Sequence, residues 1–131
     1  MPQSITTFLM FEGRAEEAMR FYTSLFPKSE IVQMSTYGPE GPGKEGSVIH
    51  ATFTLNGQEV MASDSPVKHA FSFTPSTSFF VQCQGEPEFA RLFAALSDEG
   101  QVLMPPDNYG FSARFGWCND RFGVSWQLNV A

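Results

Sequence analysis

The chain has 131 residues, of which 42% are hydrophobic and 17% charged, as expected for one globular domain or two small modules. Eight Lys and Arg residues against fourteen Asp and Glu residues give a net charge of -6, which disfavours binding to a nucleic acid backbone. No apolar run approaches the roughly 20 residues of a membrane helix. The N-terminus also lacks the basic and apolar regions of a signal peptide. We therefore expect a cytoplasmic protein with neither nucleic acid nor membrane as a partner.

Aromatic residues are abundant: fourteen Phe, three Tyr and two Trp make up 15% of the chain. Rings in this number either build a core or line an apolar cavity. The two cysteines, Cys83 and Cys118, lie in apolar, strand-like stretches without a Cys-x-x-Cys spacing. This pattern predicts buried thiols and neither a disulfide framework nor a zinc site.

The first half of the chain predicts the element order β-α-β-β-β. A strand over residues 5–11 precedes a helix over 15–26, which Pro27 ends. Three strands follow, at residues 31–37, 47–55 and 59–63. Asn56-Gly57 favours a tight hairpin between the last two strands, and the Gly- and Pro-rich stretch 38–46 favours an irregular loop.

The second half predicts the same order after a loop over residues 65–75. It contains a strand at 77–83, a helix at 87–96 that Gly100 caps, and strands at 101–104, 111–118 and 124–130. Residues 105–108 and 119–123 are expected to be connectors. The sequence thus predicts an α+β protein made of two modules, residues 1–65 and 75–131, with helices on the outside.

Strand alternation separates the faces of two strands. Over residues 47–55, one face is apolar and expected to pack against a helix: Ile49, Ala51, Phe53 and Leu55. The other face is mixed and includes His50 and Thr52, which suits a cavity lining or a subunit interface. Over 124–130, Trp126 and Gln127 point to opposite faces. We expect Gln127 and His50 to be neighbours in a polar cleft.

Two strings carry a family resemblance: FEGRAEEAMRFY at residues 11–22 and GWCNDRFGVSWQ at 116–127. With the doubled module, they resemble the PhnB-like proteins, often labelled 3-demethylubiquinone-9 3-methyltransferase domain. These proteins belong to the vicinal oxygen chelate superfamily of glyoxalase I, extradiol dioxygenases and bleomycin or fosfomycin resistance proteins. The resemblance covers essentially the whole chain. It implies a single glyoxalase/bleomycin resistance domain over residues 1–131, curved mixed sheets, and a homodimer.

Methyl transfer itself is not expected. An enzyme that uses S-adenosylmethionine ordinarily needs a doubly wound sheet with a Gly-rich turn after its first strand. The β-α-β-β-β modules leave no room for that sheet, and the glycines of residues 38–46 lie between two strands.

The resemblance also implies where a divalent metal would bind. Superfamily enzymes mostly use His, Glu or Gln side chains on the first and last strands of each module. These positions fall near Thr6, Ser78, residues 61–64 and Gln127. Because Thr and Ser are poor ligands, we expect neither a superfamily-type metal centre nor a cofactor. The alternative is a metal-dependent lyase, isomerase or dioxygenase-like enzyme with a non-standard divalent metal site of His50, Asp64 and Gln127.

The sequence therefore favours a small-molecule binding protein, because metal-free bleomycin resistance proteins hold their drug in an aromatic groove. The candidate ligand-binding residues are His50, Thr52, Asp64, Trp117, Trp126 and Gln127. Further aromatic candidates are Phe79, Phe80, Tyr109, Phe111 and Phe115. No catalytic residue is assigned: Ser63 and Ser65 flank Asp64, but no His is identified as their base. Asp120 is expected to cap a turn, and Arg121 to face solvent or an acid across a dimer.

Overall fold

The computed structural model describes residues 3–131, which form two four-stranded mixed sheets, each with one helix. One compact unit ends at His69 and the other begins at Ala70. No helix within residues 3–131 has the length and apolar character needed to cross a membrane.

Both units have the same topology. The first contains β1 (Thr7–Phe11), α1 (Ala15–Leu25), β2 (Ile31–Thr36), β3 (Val48–Leu55) and β4 (Gln58–Asp64). The second contains β5 (Ser78–Gln82), α2 (Glu86–Ser97), β6 (Gln101–Asp107), β7 (Arg114–Asn119) and β8 (Ser125–Val130). The strand orders are β1-β4-β3-β2 and β5-β8-β7-β6, with one parallel pair in each sheet, β1 with β4 and β5 with β8. The predicted repeat of β-α-β-β-β is confirmed.

In the first unit, α1 packs on one face of the sheet. Its buried side chains include Met19 and Tyr22, and the Tyr22 ring stacks on Phe53 with centroids 6.4 Å apart. The predicted hairpin is also confirmed, since Asn56 and Gly57 both have positive φ, 51° and 85°. Two consecutive positive φ angles are the conformation that Asn-Gly adopts at low cost.

In the second unit, α2 packs on β7 and β8. The rings of Phe89 and Phe93 are parallel, 5.8 Å apart, and lie against Gly116. A Cβ at Gly116 would come within 2.6 Å of the Phe93 ring, so only glycine allows the helix to approach β7 this closely. On the same face, Trp126 is buried, and its ring lies 4.8 Å from that of Phe79.

Five local expectations were wrong. The strand expected at 111–118 begins only at Arg114, so residues 111–113 lie outside β7. Ile49 is 45% exposed and Val48 is buried, because a bulge in the β2–β3 pairing shifts the alternation at this end of β3. The left-handed residue after α2 is Glu99, with φ of 59°, rather than Gly100. Position 100 instead requires glycine for a steric reason, because a Cβ there would collide with the backbone carbonyl of Asn119.

The other two corrections concern a connector and a charge. Residues 105–107 belong to β6, an edge strand whose pairing with β7 is irregular between Met104 and Asp107, which accommodates the two prolines. Arg121 pairs with Asp98 and Glu99 of the same chain, at 3.2 and 3.6 Å, because the end of α2 lies beside the turn before β8. Asp120 does cap that turn, accepting the N–H groups of Phe122 and Val124.

Candidate functional site

The face of the second sheet opposite α2 carries most of the aromatic candidates. Residues paired across neighbouring strands share a face, and successive residues alternate between faces. Gly116 faces α2, so Phe115 and Trp117 point to the other side, together with their partners on β8 and β5. We call this surface the far face of the second sheet, defined by Ser78, Phe80, Phe115, Trp117, Ser125, Gln127 and Asn129.

A hydrogen-bonded network connects three strands on the far face of the second sheet. The indole Nε1 of Trp117 donates to Ser125 Oγ at 2.8 Å, and Ser125 Oγ lies 2.6 Å from Ser78 Oγ. Gln127 Nε2 donates to Ser78 Oγ at 3.3 Å. These contacts fix the orientation of the Trp117 ring, which is half-buried. The Trp117 ring is thus preorganised on this face.

Aromatic rings gather next to this network. Phe115 is buried and contacts Phe80, Tyr109 and Phe111, with ring centroids 6.5, 6.1 and 5.1 Å away. Phe80 is 58% exposed and Phe111 is 65% exposed. Large exposed rings beside hydroxyl and amide groups are typical of surfaces that hold a planar organic molecule with a polar substituent.

The donor set at the positions of the superfamily's metal ligands does not fit a divalent metal centre. Ser78 offers only a neutral hydroxyl, which is a poor ligand, and it accepts a hydrogen bond from Gln127 Nε2. The Asp64 carboxylate accepts three backbone N–H groups. Within residues 3–131, no three His, Cys, Asp or Glu side chains come together in a group that could hold a metal ion.

His50 and Thr52 lie on the far face of the first sheet, opposite α1, where both are half-buried. The Nδ1 atom of His50 lies 3.2 Å from Gln33 Oε1, and the His50 ring lies 6.5 Å from that of Phe8. This surface also presents an aromatic ring next to a polar group. It is smaller than the aromatic cluster of the second unit.

Asp64 lies on the opposite face of the same sheet and is buried. Its Oδ1 accepts the N–H groups of Gly13 and Ala15 at 2.7 and 3.0 Å, and its Oδ2 accepts that of Val48 at 2.9 Å. The carboxylate therefore joins the start of α1 and the start of β3 to the end of β4. His50 and Asp64 point to opposite faces, so this unit does not bring the two together.

Trp126 is likewise turned away from the far face of its sheet. It is buried on the α2 side, and its Nε1 donates to Asp120 Oδ2 at 2.8 Å. Of the three candidates in the second unit, the structure brings Trp117 and Gln127 to one face and places Trp126 on the other. The sequence indicates Ser78 only as a position for a metal ligand and does not indicate Ser125, because the β5–β8 pairing that joins them has no signal in the local sequence.

Neither cysteine is a nucleophile. Burial raises the pKa of Cys118 to about 12, and the nearby Asp120 carboxylate adds to the shift. Burial also raises the pKa of Cys83 to about 11, together with the charge of Glu88. Both thiols are free and stay protonated at neutral pH, as the sequence predicted for buried cysteines.

The chain is similar to known proteins over nearly its whole length. A family model described as 3-demethylubiquinone-9 3-methyltransferase matches residues 3–129. A putative 3-demethylubiquinone-9 3-methyltransferase, PhnB protein, from Bacillus cereus is 62% identical, with a TM-score of 0.96, covering 98% of this chain and all of that one. Protein PA1353 from Pseudomonas aeruginosa is 29% identical with a TM-score of 0.85, covering 98% of both chains.

A more distant neighbour shows the wider fold. The fosfomycin resistance protein FosX from Listeria monocytogenes is 10% identical, with a TM-score of 0.67, covering all of this chain and 94% of that one. At that identity, the likeness concerns the fold alone. It is consistent with two β-α-β-β-β modules of the glyoxalase/bleomycin resistance type.

Proposed function

Because the chain belongs to the 3-demethylubiquinone-9 3-methyltransferase family and has the glyoxalase/bleomycin resistance fold, we propose that it binds a small organic molecule without a superfamily-type metal centre. The observation that carries this proposal is the far face of the second sheet, where exposed rings adjoin a hydroxyl and amide network. In this proposal Phe80 and Phe111 cover the ring system of the ligand, Trp117 packs against it, and Gln127 contacts its polar substituent.

The remaining candidates take different roles. Asp64 and Trp126 have structural roles on the faces of the sheets that the helices cover. Asp64 accepts backbone N–H groups, and the Trp126 indole donates to the buried Asp120 carboxylate. His50 and Thr52 form a separate candidate surface on the first sheet. Methyl transfer is not proposed, since neither sheet is the doubly wound parallel type with a Gly-rich phosphate turn. A cytoplasmic location remains a prediction.

A fluorescent probe tests the binding surface. N-phenyl-1-naphthylamine is neutral, aromatic and bears one N–H, so its emission should rise when it is titrated into the wild-type protein. Phe111→Ser should weaken the binding of the probe about tenfold, because the lost ring contact costs about one to two kcal/mol of binding free energy. Phe71→Ser is the matched control, because Phe71 is 62% exposed in the same unit. Equal affinities for the two variants and the wild type would contradict the proposed surface.

The two tryptophans give an independent readout. A ligand on the far face of the second sheet should change the emission of Trp117 and leave that of Trp126 nearly unchanged. Trp126→Phe should therefore keep the probe-induced change, whereas Trp117→Phe should lose it. The reverse pattern would place the ligand on the α2 side.

Elemental analysis before and after chelator treatment separates this function from a metal-dependent one. We expect no stoichiometric divalent metal in the purified protein and no loss of probe binding after chelation. A stoichiometric metal that His50→Ala removes would support the metal-dependent lyase, isomerase or dioxygenase-like alternative instead.

We also propose that the protein forms a homodimer. Several large apolar side chains are about half or more exposed, among them Ile5, Phe8, Val32 and Val67 in the first unit. Exposed apolar surface of this extent is often buried between subunits. Light scattering at micromolar concentration should give twice the chain mass of 14.6 kDa. A mass near 14.6 kDa would refute the dimer and leave the binding surface untouched.

A further inference from the structure

A serine and a histidine meet in the segment that follows β4. Ser65 Oγ lies 2.7 Å from His69 Nε2, and both side chains are half-buried. The pair belongs to the first unit and has no part in the binding surface proposed above. Its distance is in the range in which an imidazole nitrogen accepts a hydroxyl proton.

The chain holds this pair in place through the connection between β1 and α1. The Ser65 N–H donates to the carbonyl of Phe11 at 2.7 Å, and the His69 N–H donates to Glu12 Oε2 at 3.2 Å. Val67 N–H also donates to Ser65 Oγ at 3.3 Å. Both ends of the segment are thus tied to residues that are adjacent in sequence, which fixes the imidazole over the hydroxyl.

We propose that Ser65 is a nucleophile for activated acyl esters, with His69 as its general base. A serine hydroxyl alone is a weak nucleophile at neutral pH, and a neutral imidazole within hydrogen-bond distance removes its proton as the attack proceeds. Val67 N–H donates to the same oxygen and so helps to hold the hydroxyl next to the imidazole. The arrangement requires the neutral His69 tautomer with its hydrogen on Nδ1, so that Nε2 is the acceptor.

The reaction has two balanced steps. Ser65 Oγ forms a bond to the acyl carbon, the bond from that carbon to the leaving alcohol breaks, and the proton passes through His69 Nε2 to the departing oxygen. Water then attacks the acyl-serine with His69 again as base, which releases the carboxylic acid and restores the hydroxyl. Water is the only co-reactant.

p-Nitrophenyl acetate tests this proposal on the full chain. Release of p-nitrophenolate is followed by absorbance, and acetylated peptides are mapped by mass spectrometry after an acid quench. We expect release above background that Ser65→Ala abolishes and that His69→Gln slows about 100-fold. Ser76→Ala is the matched control, because Ser76 Oγ is hydrogen-bonded to another hydroxyl, Thr74 Oγ, at 2.7 Å, and it should leave the rate unchanged.

Equal rates for the wild type, Ser65→Ala and His69→Gln, or acetylation confined to lysines, would overturn the proposal. If His69→Gln fails to fold by circular dichroism, carbethoxylation of His69 in a His50→Gln background provides the second measurement. It should stop Ser65-dependent release in a folded protein, and persistence of that release would overturn His69 as the base.

Discussion

Two buried carboxylates, Asp64 and Asp120, each accept several N–H groups at turns and at the ends of helices and strands. Asp64 collects three backbone N–H groups, and Asp120 collects two and an indole N–H. The turn-capping role of Asp120 could be predicted, because its donors lie two and four residues away. The role of Asp64 could not, because its donors lie 51, 49 and 16 residues away and meet only in the folded sheet.

Asp64→Asn should lower the free energy of unfolding by about 3 kcal/mol. The amide replaces one acceptor oxygen by a donor, which leaves buried N–H groups without a partner. Asp98→Asn is the control, since it removes only an exposed ion pair with Arg121 and should cost less than about 1 kcal/mol. Urea denaturation of both variants measures the difference. Equal losses would show that the Asp64 carboxylate has no special structural role.

The elements were largely predictable, and their faces were less so. Hydrophobic periodicity located both helices, each of which buries one face, and strand-like composition between turn residues located the eight strands. It misplaced Ile49, since a bulge shifts the alternation by one residue without changing the composition. The candidate site residues divide in the same way: alternation correctly separated Trp126 from Gln127, but it gave no indication of which of the two faces α2.

Gly116 determines how closely α2 packs on its sheet. Gly116→Ala should destabilise the protein by about 1 to 3 kcal/mol, because the added methyl group overlaps the Phe93 and Phe89 rings. Gly85→Ala, at the start of the same helix, is the control, since the nearest atom to its Cβ is 3.8 Å away. Thermal unfolding of the two variants should differ by several degrees. A melting temperature for Gly116→Ala equal to that of the control would show that the helix shifts freely.

The whole molecule repeats one topology in two units of independent sequence. This duplication was predictable from element order, whereas the strand orders required pairings between distant segments, such as β1 with β4. The same distant pairings bring the residues of the candidate site together. Ser78 and Ser125 are 47 residues apart and become a bonded pair only through the parallel β5–β8 ladder.

Stability of the whole chain should fall in alkali because of its two thiols. Their folded-state pKa values, about 11 and 12, lie above the ordinary 9.0, so the unfolded chain loses these protons first. The contribution is constant below pH 9 and declines as pH rises toward 11 and 12, by up to about 1.4 kcal/mol per pH unit for each thiol. Urea midpoints from pH 8 to 11 should therefore fall less steeply for Cys83→Ala/Cys118→Ala than for the wild type. An equally steep fall of the urea midpoint with pH in the variant and the wild type would show that the two thiols do not cause the loss of stability.

The edge strand of the second sheet affects how readily this protein can pair with strands of other chains. β6 carries Pro105 and Pro106 on the outermost strand of its sheet, and a proline has no amide hydrogen to offer an incoming strand. Intermolecular strand addition at this edge is therefore blocked along part of its length. Prolines on an edge strand disfavour the edge-to-edge pairing of sheets that begins fibrillar aggregation.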